Sequence, residues 1–428
     1  MIRRSLIITL SVTLSASLYG QEQKSVLKTA EEAYARKEYA VAGALYSRIA
    51  HSKGDKMPIG RWIKMALSYQ QIGDFEKASE IYQHIVTRPD RPAGAFFNYG
   101  EVLRQLEQYT AAREQYNQFS TANADSLQLK NMALQSCDSA AVWAQQPSAV
   151  QLKPVKELNT PGSDMVSGVV KNGLVIMSNG YRSLAMKGNP ESHPATDKRT
   201  EQPYYKAYLY RQFTADNSNR FLEELSPALF EKYDYHIGPV CLNRTEDTLY
   251  ATISIQGGAV SGVRLLQLYQ SVKQNGQWSS LVLMPGINIS GYSSSQAVLS
   301  TDGNTLYLVS DRPGGYGQTD LWYAEKQADG SWGQPVNCGN KINTIAAEIF
   351  PTINEEGALY FSSKGHPGMG GFDIFRAKGA KASWNTPENM KAPFNSGADD
   401  IGLILQDGRG YLSSNKQNGP GKDDIYSF

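Results

Sequence analysis

Two textures of hydrophobic patterning divide the chain. From residue 22 to about 146 apolar residues recur at helical spacing, and from about 150 onward short runs alternate apolar and polar positions between Gly, Asn and Asp turns. The change falls at Gln145-Gln146-Pro147. The pattern predicts an α+β multidomain chain, with an α-helical domain over 21–146 and an all-β domain over 150–428.

The helical part repeats. Tyr39, Ala42 and Tyr46 are matched by Phe75, Ala78 and Tyr82, and again by Tyr109, Ala112 and Tyr116; the step from Phe75 to Tyr109 is 34 residues and the step before it is 36. Trp62 and Gly73-Asp74 fall in the second unit, Phe96 and Gly100 in the third, and Asp125 to Trp143 reads as a closing helix. A small Ala lets two antiparallel helices approach while an aromatic fills the space beside it. The spacing resembles the tetratricopeptide repeat, a solenoid of stacked helix pairs. That resemblance implies a concave groove, into which Gln70, Gln71, Phe97, Glu101, Arg104 and Gln105 would point as a partner-binding surface.

The second part repeats differently. One unit runs Ser300-Thr301-Asp302-Gly303, Leu306 to Arg312, Gly314-Gly315-Tyr316-Gly317 and Asp320-Leu321-Trp322. The next has Glu356-Gly357, Leu359 to Ser363, Gly370-Gly371 and Asp373-Ile374-Phe375; a third has Asp407-Gly408, Tyr411 to Ser414, Gly421 and Asp424-Ile425-Tyr426. Trp278, Trp332 and Trp384 mark the strand that follows, and two more divergent units begin near Asp164 and Ile237. Asp-Gly and Glu-Gly suit hairpins that need positive φ. Asp320, Asp373 and Asp424 stand where a carboxylate accepts loop N–H groups, a structural role. The repeat resembles the PD40, WD40-like propeller family to which the periplasmic protein TolB also belongs. Ser310-Asp311-Arg312 matches its signature, and Lys364 and Lys416 stand near the Arg position in the following blades. The count is five blades. The last unit ends after its third strand, and Pro154 to Thr160 matches the blade endings at 335–344 and 387–396, so a strand within 150–160 is expected to close the ring.

Composition narrows the function. The chain has 41% hydrophobic and 19% charged residues with a formal net charge of +1, which gives no reason to expect a nucleic-acid partner. Arg3 and Arg4 precede an apolar run from Leu6 to Leu18, too short to span a bilayer; residues 1–20 read as a signal peptide, and no later segment is apolar for long enough to be transmembrane. Three widely spaced cysteines, Cys137, Cys241 and Cys338, read as buried thiols. None of the 5 His has metal-ligand spacing to another His or to Cys. No nucleophile elbow, zinc helix or phosphate loop occurs, so no catalytic residue, metal or cofactor is assigned. The segment 179–202 interrupts the first blade and is a candidate partner contact or a disordered insertion.

Signal peptide, tetratricopeptide repeats and PD40 propeller together resemble a group of envelope proteins of Bacteroidetes that includes a component of the type IX secretion system. The resemblance implies an exported, periplasmic or outer-membrane-associated protein with protein partners in the envelope. The peptidoglycan-binding domain of the longer members has no counterpart here, so peptidoglycan binding is not expected. The leading expectation is a non-enzymatic scaffold or adaptor. A propeller that binds a glycan or another small ligand at its channel mouth, and a hydrolase with a convergent carboxylate pair there, remain open alternatives.

Overall fold

The computed structural model describes residues 25–181, 194–212, 220–233, 235–256, 264–406, 408–417 and 419–428. The leader read at 1–20 and residues 182–193 of the 179–202 insertion lie outside these. The chain forms an α-helical region followed by an all-β five-bladed propeller.

Among the described residues, seven α-helices form the first part: α1 Val26–Ala35, α2 Tyr39–Lys53, α3 Ile59–Gln71, α4 Phe75–Thr87, α5 Gly94–Gln105, α6 Tyr109–Gln118 and α7 Ala124–Gln145. The recurring residues make the contacts that their sizes allow. Ala42, Ala78 and Ala112 are fully buried, as are Tyr46, Tyr82 and Tyr116. In the third pair the Tyr116 ring lies on Gly100 so closely that a Cβ there would come within 2.6 Å of it. Polar side chains take up free N–H groups at three helix starts: Ser25 accepts from Lys28, Asp74 from Lys77 and Asn123 from Ser126.

Each blade is a four-stranded antiparallel unit. The inner strands are Asp164–Val170, Ile237–Leu242, Ser294–Leu299, Glu348–Ile353 and Asp400–Gln406. Every inner strand carries a bulge, and Gly238, Gln296, Phe350 and Gly402 adopt positive φ within it. The tryptophans do not sit on the outer strands themselves. Trp332 and Trp384 lie in short turns just before the outer pairs Val336–Asn337 and Glu388–Asn389, and Trp278 in one before Val282–Leu283.

The ring is shut by chain from its own front. Lys153 pairs with Ser427 and Pro154 with Tyr426, so residues 153–154 supply the outer strand of blade 5. Asn159 then clamps the neighbouring peptide from both sides: its Nδ2 donates to Ile425 O at 3.0 Å and its Oδ1 accepts from Ile425 N–H at 2.8 Å. The same device recurs between Asn288 and Leu268, Asn343 and Leu321, and Asn395 and Ile374. Replacing Asn159 by Ala strands a buried peptide group at the seam. We expect a loss of about 2 kcal/mol by urea denaturation, with faster amide exchange at Ile425 and Tyr426. Asn288→Ala should cost a similar amount without speeding exchange in those residues.

Candidate functional site

Loops from all five blades converge on the face where the inner strands begin. The first inner positions there are Asp164, His236, Ser294, Glu348 and Asp400, since His236 O bonds Ser254 N–H at the same level. Three of these are carboxylates, and all three are consumed by structure. A hydroxyl residue four positions earlier donates both its N–H and its OH to each: Thr160 to Asp164, Thr344 to Glu348 and Ser396 to Asp400. All three are fully buried. Asp320, Asp373 and Asp424, at the third strands, accept N–H groups from Tyr316 and Gly317, from Met369 and Gly370, and from Gly421 respectively. The signature Arg312 is likewise internal: it bonds Ser310 Oγ, Ser294 Oγ and Ile287 O. Lys416 takes the matching role against Pro393 O, but in blade 4 the donor is His366, on Ile342 O, and not Lys364.

Lys364 is therefore released to the mouth. Its Nζ lies 3.2 Å from Asp399 Oδ1 and 4.3 Å from the centroid of the Phe372 ring. Asp399 also accepts the Phe372 N–H at 2.8 Å and stands directly before the structural Asp400. Asp423 precedes the structural Asp424 in the same way and is bridged to Ser163 across the closure seam. Burial pushes the Asp423 carboxyl above the usual range; the Ser163 hydroxyl opposes this, and the nearby charges of Asp399 and Asp424 add to it. Two carboxylates beyond the recurring ones thus lie near each other at the mouth of blade 5, one paired with a lysine and one with its pKa raised by burial.

Beside them, blades 1 and 2 are stapled together. His236 Nε2 lies 2.9 Å from Asp197 Oδ2, while its Nδ1 accepts the Tyr205 N–H at 3.2 Å. Both ring nitrogens are occupied, so this Asp–His pair positions chain and is not a free base. Burial opposes ionisation of Asp197, but the His236 bond and the charge of Arg199 hold its carboxyl well below the usual range.

The helical part sits on this same face. The α1–α2 corner meets blade 1 through Ala40 N–H and Arg199 O, at 2.9 Å. The start of α4 meets blade 5 through Glu76 and Gln417. At the end of α5, Arg104 Nη2 donates to Gly370 O of blade 4 at 2.8 Å, and just beyond it Glu107 Oε1 accepts the Gly397 N–H at 2.9 Å. Met369 completes the contact, buried against Leu103, Tyr109 and Cys137.

These contacts decide where the expected groove residues lie. Arg104 is only 2% exposed and is spent on the propeller. The Gln105 carbonyl abuts Gly397, Glu101 accepts the Tyr116 hydroxyl at 2.5 Å, and Phe97 packs on Tyr116 and Phe119. Gln70 takes the Tyr82 hydroxyl at 3.4 Å, and of the six Gln71 alone is exposed. The six do not share one open surface. The three cysteines are free and buried, and no group of metal-binding residues occurs among the described residues. No described helix is long and apolar enough to cross a membrane.

A tetratricopeptide repeat profile matches residues 59–89 and 93–126. No curated protein matches the chain. Solved structures with a similar propeller include α-L-arabinofuranosidase from Lactobacillus brevis, at 10% identity and TM-score 0.39, covering 67% of this chain and 93% of that one. A puromycin hydrolase matches at 8% identity and TM-score 0.34, covering 63% of this chain and 44% of the hydrolase. A TolB-like protein from Agrobacterium tumefaciens matches at 12% identity and TM-score 0.33, covering 63% of this chain and 78% of that one. These values are too low to assign an activity. Several of the similar solved structures are hydrolases, and beside them the expectation of a non-enzymatic scaffold or adaptor is corrected: the likeness assigns no activity, and the fold gives no ground for excluding catalysis. The physical reason is that motifs contiguous along the chain do not report on carboxylates that converge from separate strands.

Burial also raises Glu348 to about 7, against the bonds from Ser363 and Thr344. The folded chain holds this proton more tightly than the unfolded chain, so the stability it contributes is full at low pH. It is lost as pH rises from the ordinary glutamate range through about 7. Glu348→Gln removes that share. The fall in melting temperature between about pH 5 and about pH 8 should shrink by about 2–4 °C in the variant.

Proposed function

We propose that the mouth of blade 5 is an acid–base hydrolytic site for glycosidic bonds. One observation carries the reading: Asp399 and Asp423 are carboxylates outside the set that recurs from blade to blade, close together in contrasting surroundings. Splitting a glycosidic bond calls for that division of labour, with one carboxyl protonated and the other ionised. Asp423, whose pKa is raised, gives its proton to the departing oxygen. Asp399, paired with Lys364, is the partner that attacks the sugar carbon or draws a proton from water. Retention or inversion at that carbon reads which of these it does. Ser163 holds Asp423 in place, and Phe372 offers a flat apolar surface beside Lys364.

The reading extends to location. Arg3-Arg4 with the apolar run behind them, and the resemblance of the module order to envelope proteins of Bacteroidetes, support a periplasmic or outer-membrane-associated enzyme. N-terminal sequencing of the protein recovered by osmotic shock should begin near Gln21; an intact Met1 would refute export.

Reducing-sugar release from a panel of oligosaccharides and aryl glycosides tests the activity. Asp423→Asn and Asp399→Asn should each lower turnover by about 10²–10⁴-fold with little change in melting temperature. Activity should decline as pH rises through the elevated Asp423 pKa. A wild-type protein that turns over nothing on the panel, or variants that keep full activity, would refute the assignment.

A further inference from the structure

The rim between blades 1 and 2 holds an arginine, Arg264, that no described carboxylate pairs with. In blade 2 the second strand, Thr248–Gln256, and the third, Arg264–Gln274, pair two residues beyond the level at which the other blades stop. That extension lifts Arg264 above the mouth. Its guanidinium carbon lies over the ring of Tyr235. Tyr235 meets Tyr204 edge to face, with centroids 5.3 Å apart, and Tyr204 meets His236 in the same way at 4.9 Å. All four side chains are partly exposed.

Two other arginines of blades 1 and 2 are paired. Arg199 binds Asp197 at 2.9 Å, and Arg211 binds Glu246 at 2.6 Å. Asp197 is already shared with His236, and among the described residues no carboxylate pairs with Arg264. A stacked guanidinium has lost much of its freedom before any ligand arrives, and its fork of N–H donors fits a carboxylate bidentately. The faces of Tyr204 and Tyr235 fit the C–H surface of a sugar ring, and their hydroxyls fit its polar edge. His236 and Tyr205, whose rings are 5.3 Å apart, connect this rim to Ser163 and so to Asp423.

We propose that this rim is a subsite for an acidic sugar, with Arg264 binding the carboxylate of a uronic acid residue while Tyr204 and Tyr235 hold its ring. The ligand class rests on the glycosidic reading of the mouth; the charge selectivity rests on Arg264 alone. Binding is measured on the Asp423→Asn protein, so that turnover does not enter the result. The probes are an oligogalacturonate trisaccharide and its neutral counterpart galactotriose, followed by calorimetry at low salt.

The acidic sugar should bind at least about 10-fold more tightly than the neutral one. Arg264→Gln should abolish that difference without altering neutral-sugar binding or the melting temperature, and Arg264→Lys should restore part of it. Equal affinities, no binding of either sugar, or selectivity that survives Arg264→Gln would overturn the subsite. Selective, Arg264-dependent binding by a protein whose wild type hydrolyses nothing would uphold the subsite and refute the hydrolytic reading. Turnover of neutral glycosides without selectivity would do the reverse.

Discussion

A propeller must hide the edge of every sheet, and here that requirement is met by main-chain bonds between residues 153–159 and the last strand. Pairing with Ser427 and Tyr426 fixes blade 5 against blade 1. The Asn159 clamp then sets the height at which residues 160–164 enter the first inner strand. Asp164 N–H bonds Asp423 O at 2.8 Å across the same seam. The surplus carboxylate at the mouth is therefore held by the backbone bonds that close the ring. Site and seam are one construction, which is why the least regular chemistry lies where the first and last blades meet.

The repeating acids are best understood as a background. Asp320, Asp373 and Asp424 tie loops to third strands, and Asp164, Glu348 and Asp400 tie loops to inner strands. All are buried, and each accepts hydrogen bonds from the loop it ties, since a buried carboxylate is costly without donors. Against that background Asp399 and Asp423 stand out because they add a second acid beside one the repeat already uses. The pattern visible in the sequence is two Asp-Asp pairs, both in the last blade. Read as repeats they look redundant; read as departures from the repeat they mark the mouth.

Much of the fold was legible because it depends on short-range chemistry. Tyr-Ala-Tyr spacing gives helix pairs, Asp-Gly gives hairpins, and the match between residues 154–160 and later blade endings gives the closure. What escaped depends on distance along the chain. The direction of Arg104 follows from helical period, but the carbonyl that claims it is on Gly370, in another domain. The Asp197–His236 staple joins two blades through residues with no shared motif. Lys364 looked like a substitute for the signature Arg until His366 took that bond and left it free. The isolation of Arg264 follows from two extra residue pairs in one hairpin, a change of length that residue types do not reveal.

The three helical corners land in order on blades 1, 5 and 4, so the solenoid straddles the joint where the circle begins and ends. An ordinary ring sealed by one short strand could breathe open at that joint. Here any such opening would also have to drag a helical corner off blade 1 or off blade 5. The solenoid works as a clasp over a buckle: it adds a second, independent resistance to opening at the weakest point of the circle. A protease nick in the linker would accordingly leave the two halves of the molecule gripping each other.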